Sequence, residues 1–147
     1  MTLFLATMAC VVASFGCGPV EPLPEPLVPV SKFSVRYERS GGLKVMPQKV
    51  VIKPGRHVVA TTRNGVGVKT VRYRVPVPTV KRLRNGLSDP RFAAFEGGPP
   101  GTCADCYVYT ITYRGHMVTV DESTVPGWLR KTITRLEALA EPHLPFH

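Results

Sequence analysis

The amino-acid sequence predicts an α+β fold, a single antiparallel β-sheet of about four to six strands with one short helix and one C-terminal amphipathic helix packed on one face. Three observations predict this class. Several segments alternate apolar and polar residues with the period of two of half-buried strands, and glycine-containing turns separate them. The chain then ends in apolar residues spaced for one side of a helix. A length of 147 residues, 44% hydrophobic and 20% charged, suits one domain.

The first strand is predicted to begin at Phe33. Phe33, Val35 and Tyr37 alternate with polar residues, as expected for a strand with one buried face. The turn residues Ser40-Gly41-Gly42 end this strand, because glycine favours the backbone conformations of tight turns.

The next segment predicts a hairpin followed by a fourth strand. Strands are expected at residues 49–52 and 57–62, joined by a turn at Pro54-Gly55. A turn at Asn64-Gly65 leads into alternating residues 66–75, and the prolines at 76 and 78 end that strand.

A short helix is predicted from Thr79, which is placed to cap it. Val80, Leu83 and Leu87 share one face of this helix, and Gly86 weakens its end. The alternating residues 107–113 then form a long strand, which turns at 114–116 into a strand over 117–120.

The final helix is predicted from an apolar stripe, and Pro142 is expected to stop it. Asp121 and Glu122 precede it, where acidic residues favour the helix dipole, and Ser123 or Thr124 is the expected cap. The stripe consists of Leu129, Ile133, Leu136 and Ala140.

Residues 1–17 are typical of a signal peptide. The segment from Met1 to Gly16 is uncharged and mostly apolar but too short to span a bilayer. A small residue directly before Cys17 resembles the lipobox of bacterial lipoproteins, in which this cysteine is diacylated at its sulfur and becomes the new N-terminus after cleavage. We therefore expect an extracytoplasmic protein held to the membrane by a lipid anchor in the cell envelope. Simple secretion and a buried N-terminal helix are the alternatives.

Residues 18–31 are predicted to be a proline-rich linker, followed by one folded domain over residues 32–142 and a tail over 143–147. In an extended polyproline conformation this linker reaches about 40 Å at roughly 3.1 Å per residue. The alternative is a tail without a spacing role.

Positive charge is concentrated in one half of the domain, although the whole chain carries a net charge of +9. From Lys32 to Arg84 there are fourteen lysines and arginines and one acid, Glu38, whereas residues 85–147 hold five cations and seven acids. This balance favours an acidic partner or an anionic membrane surface. We expect no nucleic acid, because no recognition motif accompanies the charge. The simpler interpretation is that the cations occupy the solvent side of alternating strands.

No motif for catalysis is present in the sequence. The four histidines lack metal-ligand spacing, and no phosphate-binding glycine loop or serine nucleophile elbow is found. The sequence therefore predicts a monomeric binding protein rather than an enzyme, with no catalytic residues, metal or cofactor.

Cys103 and Cys106 form a C-x-x-C motif that lacks the second pair of a structural zinc site. In an oxidising compartment we expect them to form a short structural disulfide. Free thiols, a metal site and a redox centre are the alternatives, the last weakened because the pair precedes a strand rather than opening a helix.

Several short motifs resemble, in their order, the emfourin family of protein inhibitors. They include Y-E-R-S-G-G at 37–42, Y-V-Y-T-I at 107–111, Y-R-G at 113–115 and V-T-V-D-E at 118–122, followed by V-P at 125–126 and a leucine-rich helix. The resemblance spans residues 33–141. It implies tight, reversible inhibition of thermolysin-like zinc metallopeptidases, with no cofactor of the inhibitor's own and such a protease as partner.

A protease-binding loop is predicted where the first strand ends, at Arg39, Ser40, Gly41, Gly42 and Leu43. Thermolysin-like enzymes prefer a bulky apolar residue after the scissile bond, and Leu43 follows a bare glycine backbone. An ordinary glycine turn is the alternative interpretation of this loop. The alternative function is a non-inhibitory envelope lipoprotein that binds an acidic partner or polymer through its basic half.

Overall fold

A single six-stranded antiparallel sheet organises this chain in a computed structural model that describes residues 26–43, 47–64, 67–98 and 103–140. The strand order is β4-β3-β2-β1-β5-β6, so β1 lies inside the sheet and β4 and β6 form its edges. The strands are β1 Val35–Gly41, β2 Gln48–Lys53, β3 His57–Asn64, β4 Gly67–Arg74, β5 Tyr107–Tyr113 and β6 His116–Asp121. The predicted α+β class with one antiparallel sheet is confirmed. The predicted signal peptide with Cys17, and the tail, lie outside the described residues.

Alternation along each strand gives the sheet two different faces. In β1, Val35 and Tyr37 are buried beneath helices, whereas Arg36 is exposed on the opposite side. Pairing places Ile52 and Tyr113 beside Val35, so the apolar residues of neighbouring strands meet on the same face. We call the uncovered side, which includes Arg36, Lys49, Lys53, Arg72 and Arg74, the open face.

Three α-helices cover the other face: α1 Val77–Leu87, α2 Pro90–Ala94 and α3 Gly127–Glu137. The prediction that Thr79 caps α1 is wrong. The helix begins two residues earlier, after Pro76, because proline at 78 is tolerated within a first helical turn. Helix α2 was not predicted from the sequence, and Asp89 caps it by accepting a hydrogen bond from the Arg91 amide at 2.9 Å.

The start of α3 also differs from the prediction, because neither Ser123 nor Thr124 caps it. These residues belong to a short 3-10 helix, Glu122–Thr124, whose first turn is capped by the side chain of Asp121. Helix α3 follows Pro126 and ends at Glu137, before Pro142 is reached. Asp121 therefore caps this short 3-10 helix rather than α3, and Glu122 is the first residue of the same short helix.

The hydrophobic core fills the space between the sheet and the helices. Its largest fully buried side chains include Tyr37 and Phe33 from the sheet side and Phe92, Leu83 and Leu129 from the helix side. Burying such side chains is the main favourable contribution to the folding free energy. The core therefore fixes which face of the sheet receives the helices and leaves the open face to solvent.

Helices α1 and α3 approach each other closely at Gly86. A Cβ atom at this position would lie 2.4 Å from the Thr132 hydroxyl oxygen, so any larger residue would require Thr132 to shift. The glycine that was expected to weaken the end of α1 thus permits its packing against α3.

The chain reaches the domain along one end of the sheet. The carbonyl of Pro26 accepts a hydrogen bond from Arg114 at 3.4 Å, and that of Val28 accepts one from Arg84 at 3.3 Å. A 3-10 helix, Val30–Lys32, then packs against the turn Pro54–Arg56. Residues 26–31 of the predicted linker therefore contact the domain.

Candidate functional site

The turn that ends β1 has a backbone conformation suited to glycine at two successive positions. Gly41 and Gly42 have φ angles of 79° and 81°, in the left-handed region. A Cβ atom at Gly41 would lie 2.7 Å from the Cys106 carbonyl oxygen, and one at Gly42 would lie 2.3 Å from the ring of Tyr107. Both glycines are therefore required by close packing as well as by backbone geometry. We call residues 40–43 the glycine turn.

A disulfide bond lies directly beside the glycine turn. Cys103 and Cys106 are joined with their sulfur atoms 2.02 Å apart, as predicted for a structural disulfide. The carbonyl of Cys106 accepts a hydrogen bond from the amide of Gly42 at 3.2 Å. The disulfide thus restrains the residue on which the glycine turn rests.

The start of β5 has a further anchor in the short 3-10 helix that follows β6. The amide of Tyr107 donates a hydrogen bond of 3.1 Å to the carboxylate of Glu122. The sequence predicted only a helix-dipole role for Glu122, and the structure gives its carboxylate this supporting contact. The loop beside the glycine turn is consequently held on both sides of Cys106.

Arg39 supports the glycine turn from the helix-covered face. Its guanidinium pairs with the carboxylate of Glu137 on α3 at 3.0 Å, and it lies over the ring of Tyr107 at 4.4 Å from the centroid. The two charged side chains are only 11% and 19% exposed. Arg39, one of the five predicted contact residues, therefore directs its side chain into the domain.

Buried tyrosines surround this ion pair. Burial raises the pKa of Tyr37 far above its usual range, and the nearby carboxylate of Glu137 adds to the effect. Burial likewise raises the pKa of Tyr109. Both hydroxyl groups therefore stay neutral beside the ion pair of Arg39 and Glu137.

Leu43 is the residue that the glycine turn presents most openly. It is 83% exposed, the largest exposed fraction among the large hydrophobic residues described. Ser40 is also exposed, whereas Gly41 and Gly42 are half-buried against the loop of Cys106. The structure therefore brings together the five predicted residues but divides them into one supporting side chain and four residues of a surface turn.

A shallow groove of about 380 Å³ opens on the open face beside the glycine turn. Ser40 and Lys49 line it, with Arg63 and Val68 from β3 and β4. Glu38 lies at its side and accepts hydrogen bonds from both Arg36 and Lys49. Although partial burial alone would raise it, these hydrogen bonds hold the pKa of Glu38 below its usual range.

Five of the basic residues in the first half of the domain lie on the same face of the sheet. Lys49, Lys53, Arg63, Arg72 and Arg74 all lie on the open face because they share one phase of the alternation. This sorting agrees with the simpler interpretation that cations occupy the solvent side of strands. Sequence reasoning missed the supporting residues Glu122 and Glu137, which are distant in sequence and carry no motif.

Within the described residues, no group of three or more histidine, cysteine or acidic side chains is arranged to hold a metal ion. The helices described there are also too short or too polar to cross a membrane.

The fold and the glycine turn define an α+β domain with a braced surface turn. Comparison with protein-family models gives no match for this sequence, and comparison with curated proteins gives none either.

Proposed function

We propose that the chain is an exported inhibitor of thermolysin-like zinc metallopeptidases, and that the glycine turn enters the protease cleft. The observation that carries this proposal is the 83% exposure of Leu43 on a turn braced by a disulfide. The class of protease is proposed from the resemblance of short motifs to emfourin. The extracytoplasmic location and the lipid anchor at Cys17 are proposed from the predicted signal peptide.

Restraint of the turn is the physical basis of the proposed inhibition. A flexible loop loses conformational entropy when a cleft orders it, whereas a loop held in its bound shape avoids most of that cost. Gly41 and Gly42 have little freedom to rearrange, since each lies against the Cys106 and Tyr107 backbone or ring. The favourable free energy of the Leu43 contact would then add to the affinity with little loss to ordering of the loop.

Leu43 is the side chain that suits the protease. Thermolysin-like enzymes prefer a bulky apolar residue after the scissile bond, and a leucine behind two glycines presents such a residue with little steric hindrance. Buried apolar anchors at the centre of an interface commonly account for most of its binding free energy. We therefore assign the main contact to Leu43, with Ser40, Gly41 and Gly42 providing backbone contacts.

The test is an inhibition assay with the full chain and a thermolysin-like protease that hydrolyses a peptide substrate. The wild-type chain is expected to inhibit, and Leu43→Asp should weaken inhibition by more than about 30-fold, the effect of losing a hot-spot side chain. Met117→Asp is the matched control, because Met117 is also an exposed apolar residue, 62% accessible, but lies on edge strand β6.

Two results would contradict the proposal. If the wild-type chain leaves hydrolysis unchanged, the inhibitor function is wrong, and the non-inhibitory binding alternative takes its place. If the chain inhibits but Leu43→Asp and Met117→Asp behave alike, inhibition does not pass through the glycine turn.

A further inference from the structure

One end of the open face is rich in cations. Lys53, His57 and Arg74 lie side by side across β2, β3 and β4, in one row of the register. Arg72 lies two residues before Arg74 on the same strand and the same face, so it occupies the adjacent row. All four side chains are exposed.

Two more exposed cations flank this row where the sheet meets its loops. Lys32 ends the 3-10 helix that precedes β1, and Arg114 lies in the turn between β5 and β6. Both line a shallow depression of about 340 Å³ at this end of the sheet. We call Lys32, Lys53, Arg72, Arg74 and Arg114 together the cationic end.

Few carboxylates offset this charge. Glu38 is the acidic residue of β1, and it is already engaged by Arg36 at 2.7 Å and Lys49 at 3.3 Å. In the part of the chain that the structure describes, neither Lys53 nor Arg72 has an ion-pair partner. Arg74 donates a hydrogen bond to the carbonyl of Gly55 at 3.3 Å, which is a neutral acceptor.

The chain enters the domain at the same end. Arg114 donates to the carbonyl of Pro26, and the helix of Lys32 packs against the turn that separates Lys53 from His57. Cys17, the predicted lipidation site, stands nine residues before Pro26. At about 3.4 Å per residue, even an extended connection of that length reaches only about 30 Å.

The chemistry of the open face argues against single-stranded nucleic acid as the ligand. Such ligands stack their bases on aromatic side chains. No Phe, Tyr or Trp belongs to the open face among the described residues, because the tyrosines of β1, β4 and β5 all face the helices. A broad cationic surface without aromatic side chains suits the anionic headgroups of a membrane, because these spread negative charge over a flat surface.

We propose that the cationic end docks the domain on an anionic lipid surface, as a second membrane contact beside the lipid anchor predicted at Cys17. A basic patch is a common second membrane-binding signal beside a lipid modification. Each lysine or arginine near an anionic surface strengthens binding about fivefold, and the effect weakens with salt. This proposal does not depend on protease inhibition.

The test is sedimentation of the full chain with lipid vesicles at two salt concentrations. We expect binding to vesicles of phosphatidylcholine mixed with phosphatidylglycerol to exceed binding to phosphatidylcholine alone. The double substitution Lys53→Glu and Arg72→Glu should weaken binding to the mixed vesicles by at least about 25-fold. The neutral pair Lys53→Gln and Arg72→Gln should give a smaller loss, and circular dichroism checks that each variant is folded.

A matched control separates position from net charge. Lys81 and Arg82 are exposed on α1, which covers the opposite face, so Lys81→Glu with Arg82→Glu changes the charge by the same amount elsewhere. All variants share residues 1–25, so any contribution of that segment cancels. Leu43→Asp should leave vesicle binding unchanged, which distinguishes failure of this proposal from failure of the inhibitor function.

Three outcomes would overturn the proposal. The first is equal binding of the wild-type chain and the Lys53/Arg72 variants to mixed vesicles. The second is an equal loss in the Lys81/Arg82 control, which would indicate net charge alone. The third is tighter binding to dextran sulfate than to mixed vesicles at equal anionic charge, lost in the Lys53/Arg72 variants, which would assign the surface to an acidic polymer.

Discussion

The amide of Gly42 donates a hydrogen bond to the carbonyl of Cys106 at 3.2 Å, so the turn that ends β1 is joined to the disulfide loop before β5. Two loops that are about sixty residues apart in sequence thereby form one surface unit. Because β1 and β5 are neighbours in the sheet, the end of β1 at Gly41 lies beside the start of β5 at Tyr107.

Gly42→Ala should destabilise the domain more than Gly115→Ala. Both glycines have a φ of 81°, but a Cβ at Gly42 would lie 2.3 Å from the Tyr107 ring, whereas no atom lies within 4 Å of one at Gly115. Left-handed strain alone costs about 1 kcal/mol, and the clash should bring Gly42→Ala to about 3 kcal/mol. Urea unfolding measures both. Equal losses would mean that Tyr107 moves aside without cost.

Removing the disulfide should affect function more than stability. The loop between Cys103 and Cys106 is short, so Cys103→Ser with Cys106→Ser is expected to lower the free energy of unfolding by only about 2 kcal/mol. Inhibition should weaken strongly, because the carbonyl that holds Gly42 is released. Denaturant unfolding and inhibition constants are measured on the same samples. Full inhibition by the double variant would show that the disulfide does not organise the glycine turn.

The ion pair between Arg39 and Glu137 should behave as a coupled unit. Either Arg39→Met or Glu137→Gln leaves a mostly buried charge without its partner and should cost about 2 kcal/mol. The double variant should cost less than the sum of the two, since it leaves no isolated charge. A double-mutant cycle of chemical unfolding checks this. Additive losses would show that the two side chains do not depend on each other.

Stability should fall at alkaline pH. Burial raises the pKa of Tyr73 to about 12 from its usual 10.0 and also raises that of Tyr37 and Tyr109. A raised pKa means that the folded state favours the neutral hydroxyl, so this stability is fully present below pH 10 and is lost as pH rises towards 12.

The alkaline effect can be assigned with one substitution. Tyr73 donates a hydrogen bond to the carbonyl of Leu139, so Tyr73→Phe removes both the hydrogen bond and the titrating group. Between pH 9 and pH 11 the stability of the Tyr73→Phe variant should fall less steeply than that of the wild type. Thermal unfolding monitored across this range measures it, and parallel curves for the two proteins would contradict the assignment.

Much of the sheet was predictable because a strand has a simple period. Val35, Tyr37 and Ile111 face the core where the alternation places them, and the pairing of Tyr37 with Ile111 aligns the two patterns. Helix starts were less predictable. Thr79 and Ser123 are ordinary capping residues, but Pro76 and Pro126 precede α1 and α3, and packing against the core selected those boundaries.

The candidate site was predictable only in part. The glycines of the turn and the C-x-x-C motif are local signals, and both were recognised in the sequence. Their contact through Gly42 and Cys106, and the inward direction of Arg39, depend on β5 lying beside β1. No local pattern encodes which distant strand will be the neighbour.

The sequence by itself determined the alternation of the strands, the glycine pair that ends β1 and the excess of positive charge in the first half of the domain. The tertiary structure decided that the side chain of Arg39 lies on the helix-covered face, where it pairs with Glu137. It also decided that Lys53 and Arg74 lie in one row of the sheet, at the end where the chain enters the domain. The physical reason is that side-chain periodicity is a short-range property of the backbone. Strand order and helix placement depend instead on how the whole apolar surface is buried at once.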